Sequence, residues 1–160
     1  MAVTKQKDQR VGVFIDTQNL YHSAKNLYKA RVNFGNIVKD AVGDRRLVRA
    51  LAYVISTESG DEKSFFEALA KMGIETKTKD LQIFAGGAKK ADWDVGLAVD
   101  VIKMAPKLDA VVLVTGDGDF IPLVDIPGVA PDDQGNWAWI DTGSFDRYSA
   151  SLMVNNKSIA

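Results

Sequence analysis

Apolar residues in this chain follow two patterns. Short, mainly apolar runs occur at "VGVFID" (11–16), "LVRALAYVIS" (47–56) and "DAVVLVTG" (109–116). Runs of this length predict strands buried on both faces. Between them, apolar positions recur at three- and four-residue spacing, which predicts helices with one buried stripe. "TQNLYHSAKNLYKA" places Leu20, Ala24, Leu27 and Tyr28 on one such stripe. "NFGNIVKDAVG" predicts a second helix closed by Gly43. "SGDEKSFFEALAKMG" predicts a third, with Ser59 as its cap, acids in its first turn and Gly73 past its end. "ADWDVGLAVDVIKMA" predicts a fourth, stopped by Pro106. "IETKTKDLQIF" holds a further strand or a short pair, ended by Gly86 and Gly87. Alternating strands and helices predict an α/β domain with a mostly parallel sheet. From Asp125 the pattern becomes loop-like, with a short strand at "WAWI" and a closing helix at "SFDRYSASLMV" capped by Ser144.

Composition adds exclusions. A chain of 160 residues suits one domain with a real core. The polar first ten residues read as a loose tail, with one domain from 11 to 160. No apolar run is long enough to span a bilayer and no signal-peptide pattern is present, so a cytoplasmic location is expected. With no cysteine, disulfides, thiolate zinc sites and a cysteine nucleophile are excluded. One histidine, His22, excludes a histidine-rich metal site and reads as a helix-surface residue. The net charge of −1 means that any nucleic-acid binding must come from a local patch or from bound metal.

Chemistry concentrates where strands end. "TGDGDF" (115–120) follows the last apolar run directly and places Asp117 and Asp119 two residues apart. Two carboxylates there repel each other and resist burial, so a positive group between them is expected. Asp16 ends the first strand. In open parallel sheets ligands bind beyond the carboxyl ends of strands, where strand order reverses. If the first and last of these strands are neighbours, Asp16, Asp117 and Asp119 converge. Asp92 and Asp94 open the helix that feeds the last strand and belong on the same rim. Asp100 lies about 240° further round that helix than Asp94. It is expected partly buried, with a supporting role behind the metal ligands or a bond to nearby backbone as much expected as metal contact. Any one of these acids would also serve as an ordinary turn or cap residue. Their joint placement points instead to a hard divalent cation, Mg²⁺ or Mn²⁺, and to hydrolysis at phosphorus. Thr115 and the backbone of Gly116 and Gly118 are positioned to hold a phosphate or a metal-bound water.

Three segments carry a resemblance. "VFIDTQNLY", "WDVGLAVDVI" and "VVLVTGDGDFIPLV" occur in that order and resemble the NYN domain family of the PIN-like nuclease group, in its bacterial LabA-like branch. The resemblance covers roughly residues 10 to 125. It implies a PIN-like, Rossmann-like three-layer α/β/α sandwich and metal-dependent ribonuclease activity. It also implies metal-binding acids at Asp16, Asp94 and Asp117 with Asp119 close by, a polar partner at Asn19, and a less defined role for Asp100. The tail departs from the family pattern. Pro127 stops the expected helix early, so residues 126–160 are atypical.

Lys89 and Lys90 precede the acidic helix and are candidates for contacting RNA phosphates. Trp93 is expected either to pack on the sheet or to stack on a base. Arg45, Arg46 and Arg49 begin the second strand and so belong to the opposite rim. Trp137 and Trp139 alternate on a short strand, leaving one exposed unless a homodimer covers it. The leading expectation is a ribonuclease acting on single-stranded or structured RNA. With no evident side-chain base, activating water falls to the metal. A regulatory or RNA-binding module that keeps the acidic pocket is the alternative, then a small-molecule phosphohydrolase. A dehalogenase-type phosphatase would want Asp-x-Asp after the first strand, and Gln18 stands in place of the second acid.

Overall fold

The structure is a computed structural model that describes residues 7–56, 62–80, 82–83, 85–86, 89–90, 92–120, 123 and 137–140. Five strands form the main sheet in the order β3-β2-β1-β6-β7. They are β1 (Arg10–Asp16), β2 (Arg46–Ser56), β3 (Glu75–Asp80), β6 (Ala110–Val114) and β7 (Trp137–Ile140). Every neighbouring pair is parallel. Two short strands, β4 (Gln82–Ile83) and β5 (Lys89–Lys90), form a separate antiparallel ribbon.

Side chains alternate across the sheet with a period of two. Val11, Val13 and Ile15 join Ala50, Ala52, Val54, Ala110, Val112 and Val114 on one face. Phe14, Leu51, Tyr53, Val111 and Leu113 occupy the other. The first face is covered by α1 (Thr17–Ser23), α2 (Phe34–Val42) and α3 (Lys63–Lys71) through Leu20, Ile37, Val38 and Leu69. The second is covered by α4 (Asp94–Met104) through Leu97 and Val101. The result is the expected three-layer α/β/α arrangement, and because both faces are covered the central strands β1 and β6 read as short apolar runs.

β2 and β3 lie on one side of β1, and β6 returns to the other. The strand order therefore reverses between β1 and β6, and their carboxyl ends open onto one crevice. β1 begins at Arg10, whose guanidinium pairs with Asp109 at 2.9 Å, and Gln9 before it is buried. Arg45 is buried at the opposite end of the sheet from that crevice. It donates to the carbonyls of Ala41 and Val42 and so closes α2.

The first helix differs from expectation. α1 ends at Ser23 and continues as a π-helix over Ala24–Tyr28. A π turn takes more residues per revolution than an α turn, so the buried stripe loses phase there. Leu20 and Ala24 are buried as expected, but Leu27 is 57% and Tyr28 39% exposed. Asn33 caps α2 by accepting the Asn36 N–H at 3.0 Å. α3 begins at Lys63, later than expected, with Glu62 at its cap position and no acid in its first turn. It is followed by Gly73 at φ 77°, a left-handed position that suits glycine. Ser59, Gly87, Asp125 and the helix expected from Ser144 lie outside the described residues. So do the side chains of Trp137 and Trp139, on which a homodimer was expected. Among the described residues no helix is long and apolar enough to cross a membrane.

Candidate functional site

The ends of β1 and β6 are tied together by side chains. Asp16 caps α1, its Oδ1 accepting the Asn19 N–H at 3.3 Å. Its Oδ2 accepts the Thr115 hydroxyl at 2.9 Å, and that hydroxyl oxygen accepts the Asp117 N–H at 3.1 Å. Asn19 Oδ1 accepts the Gly116 N–H at 2.7 Å. Gly116 was expected to present this N–H to a phosphate, but it is already engaged. Asp16 therefore caps α1 with one carboxylate oxygen and holds the β6 end through Thr115 with the other.

Asp117 Oδ1 accepts the Asp119 N–H at 2.9 Å and folds the motif into a tight turn. Phe120, buried at the end of that 3-10 turn, pins it against the α4 side of the sheet. Asp94 is the first residue of α4. Trp93 fixes that helix end by donating its indole N–H to Val54 O at 3.0 Å and by meeting Tyr53 edge-on at 5.4 Å. Lys79 Nζ sits 5.4 Å over the same indole and bonds Asp92 O at 3.1 Å.

These elements bring one carboxylate oxygen each of Asp94, Asp117 and Asp119 within 4.8 Å of one another. Asp16, Asp92, Asp94 and Asp117 also line a cavity of about 440 Å³ together with Gln18, Asn19, His22, Ser23 and Asn26. Among the described residues no lysine or arginine lines it. The negative charge is therefore uncompensated by the described side chains. Burial, then the neighbouring Asp117, Asp16, Asp92 and Asp119, push the Asp94 carboxyl up to about 6. Burial also raises Asp16, against the hydrogen bonds from Thr115 and Asn19 and with added repulsion from Asp117 and Asp92.

The sequence matches the NYN domain family over residues 10–127. This chain belongs to the NYN domain family. That family is PIN-like and of nuclease type, so this NYN domain is of nuclease class. It is similar to the "Low amplitude and bright protein LabA" of Synechococcus elongatus, with 23% identity over 129 residues, 75% of this chain and 68% of that one. It is also similar to a solved structure, a protein of unknown function from Vibrio parahaemolyticus. That similarity has a TM-score of 0.69 and 28% identity, and covers 86% of this chain and 96% of the other.

Within this NYN domain, Asp100 stands apart from the acid group. Its carboxylate accepts the Tyr53 hydroxyl at 2.8 Å and the Lys77 ammonium at 2.6 Å. Burial opposes its charge, but the Lys77 and Tyr53 hydrogen bonds outweigh that and hold the carboxyl below its ordinary value. Its partners are side chains rather than the nearby backbone. Lys89 and Lys90 form β5, and their side chains lie outside the described residues. Gln18, His22 and Asn26 were not assigned to the site from sequence, yet they line the cavity. Their signal was a polar residue every fourth position starting just after Asp16.

Proposed function

We propose that this NYN domain hydrolyses phosphodiester bonds of RNA with Mg²⁺ or Mn²⁺, acting in the cytoplasm. The observation that carries the reading is the meeting of the Asp94, Asp117 and Asp119 oxygens beside a cavity that Asp94 and Asp117 line with Asp16 and Asp92, and that no lysine or arginine lines among the described residues. Hard oxygen donors of this kind fit a hard divalent ion. Asp94, Asp117 and Asp119 would hold it, with Asp16 beside them. When bound, such an ion polarises a phosphoryl oxygen and makes water a better nucleophile at neutral pH.

The chain's own groups then have separable tasks. Asp117 and Asp119 present carboxylates from one tight turn. Asp94 adds a third from the start of α4. Thr115 and Asn19 keep Asp16 and the β6 end in register, so the acids need not reorganise when substrate arrives. His22, Asn26 and Gln18 offer polar contacts to the substrate across the cavity.

The test is a nuclease assay on mixed RNA and DNA with Mn²⁺, Mg²⁺ or chelator, beside Asp117→Asn. The expected outcome is RNA cleavage that needs metal and falls at least about a hundredfold in the variant, as for loss of one transition-state electrostatic contact. RNA binding without cleavage under every metal condition would favour a regulatory RNA-binding module instead.

A further inference from the structure

We propose that a groove beside the acid cavity is the bed for a single-stranded stretch of the RNA substrate, its phosphates held by Lys25, Lys29 and Arg31. The proposal rests on the nuclease reading above and adds the path the polymer takes. The groove has a volume of about 1300 Å³, and its floor includes Phe34, Val54, Ile55, Phe65, Leu69 and Met72. That exceeds the roughly 300–1,000 Å³ of ordinary small-ligand sites. An apolar floor with a cationic rim suits a polymer of flat bases on a charged backbone.

Four observations point to this occupant. The first is continuity, since Gln18 lines both the groove and the acid cavity. A strand crossing Gln18 passes from the carboxylates straight into the groove. The second is charge. Lys25, Lys29 and Arg31 line the groove against one carboxylate, Glu62, and none of the three cations is in an ion pair among the described residues. The third is an unmet hydrogen bond. Thr17 is 7% exposed and lines the groove, and its hydroxyl has no partner among the described residues. The fourth is Tyr21, 55% exposed on the groove wall, which offers a ring for stacking.

The helix itself separates two lanes. Gln18, His22 and Asn26 recur every four residues on the acid side, and Tyr21, Lys25 and Lys29 do so on the groove side. The π turn over Ala24–Tyr28 lies in this ridge, and Lys29 ends it in a left-handed conformation at φ 52°. π turns recur at functional sites. Here the turn sets Lys25 and Lys29 along one wall.

The experiment compares kcat/KM in Mn²⁺ for a dinucleotide and for an oligouridylate about ten nucleotides long, within single-strand site sizes. Parent protein is set beside Lys25→Gln/Lys29→Gln/Arg31→Gln. A control, Lys39→Gln/Arg46→Gln/Lys107→Gln, removes equal charge from exposed positions outside the groove. The groove variant should lose at least about tenfold of the long-RNA advantage near 50 mM salt. Its slope of log kcat/KM against log salt should flatten by about 2, from roughly 0.7 for each of three phosphate contacts. The control should keep the parent's advantage and slope. A groove variant with the parent's slope overturns the path while leaving the nuclease reading intact. A parent that hydrolyses neither substrate overturns both. If sedimentation shows a dimer that the groove variant breaks while the salt slope stays unchanged, the groove holds a second copy and the RNA path is wrong.

Discussion

Asp94 is the residue whose state sets the terms for metal binding. Its carboxyl, pushed up to about 6 by burial and by its acidic neighbours, holds a proton that an exposed aspartate near 4 has released. The metal-free protein therefore keeps this contribution to stability below about pH 4 and loses it as pH rises through 6. Calorimetry without metal should show a melting temperature that declines from pH 4 to pH 6 relative to Asp94→Asn. A divalent ion must displace the same proton, so Mn²⁺ affinity measured by titration calorimetry should weaken steadily below pH 6 and level off above it. Asp117→Asn relieves repulsion at its source. It should melt slightly higher than the parent in chelator and gain nothing from Mn²⁺.

Gly96 makes a different point at the same scale. A Cβ there would lie 2.6 Å from the Trp93 ring. Trp93 carries the start of α4, and Asp94 is the next residue. Gly96→Ala should displace the indole, cost about 1–3 kcal/mol as overpacking does, and lower metal affinity, although no acid has been changed. Unaltered Mn²⁺ affinity in that variant would mean that the indole does not position Asp94.

Among the elements, α4 is held at two points. Trp93 fastens its first turn, and Asp100 fastens its middle to Tyr53 of β2 and Lys77 of β3. The second tie anchors the helix rather than forming part of the acid group. Lys77 is 41% exposed, so Lys77→Met should cost no more than about 1 kcal/mol. The melting-temperature gain from Mn²⁺ should stay at the parent's value. A reduced gain would place Asp100 among the groups that shape the metal site.

The same elements mark what was legible in the sequence. β1, the second half of β2 and β6 were readable because a doubly covered parallel sheet leaves short apolar runs, whereas β3 (ETKTKD) carries none. That Asp16, Asp94 and Asp117 lie on one rim was readable because they end or open elements around the β1–β6 reversal of strand order. The π turn was not, since Leu27 and Tyr28 satisfy helical spacing and only the wider turn takes them off the core face. The β4–β5 ribbon spans two residues per strand, too short for any period to show. The partners of Asp100 come from two other elements, and no local pattern announces them.

For the whole molecule, charge is sorted along the strands. Arg10, Arg45, Arg46 and Arg49 occupy the end where the strands begin, and the acids occupy the end where they stop. Lys25, Lys29 and Arg31 flank the acidic end from the α1 side. A net charge of −1 thus conceals a surface with separate acidic and basic regions.

The brace between β1 and β6 also sets when the acid group can assemble during synthesis. Thr115 and Asp16 are 99 positions apart, and Gly116 and Asn19 are 97 apart. β1 is a central strand, and it waits beside β2 with one edge open until β6 has been made. Such distant pairings close late, after local helices and neighbouring strands have formed. A chain still on the ribosome, with β6 inside the exit tunnel, has its first aspartate and none of the turn that completes the acid group. A truncated chain ending before residue 109 should therefore show no Mn²⁺-dependent protection from proteolysis. The acid group of this domain cannot assemble until nearly the whole core has been translated.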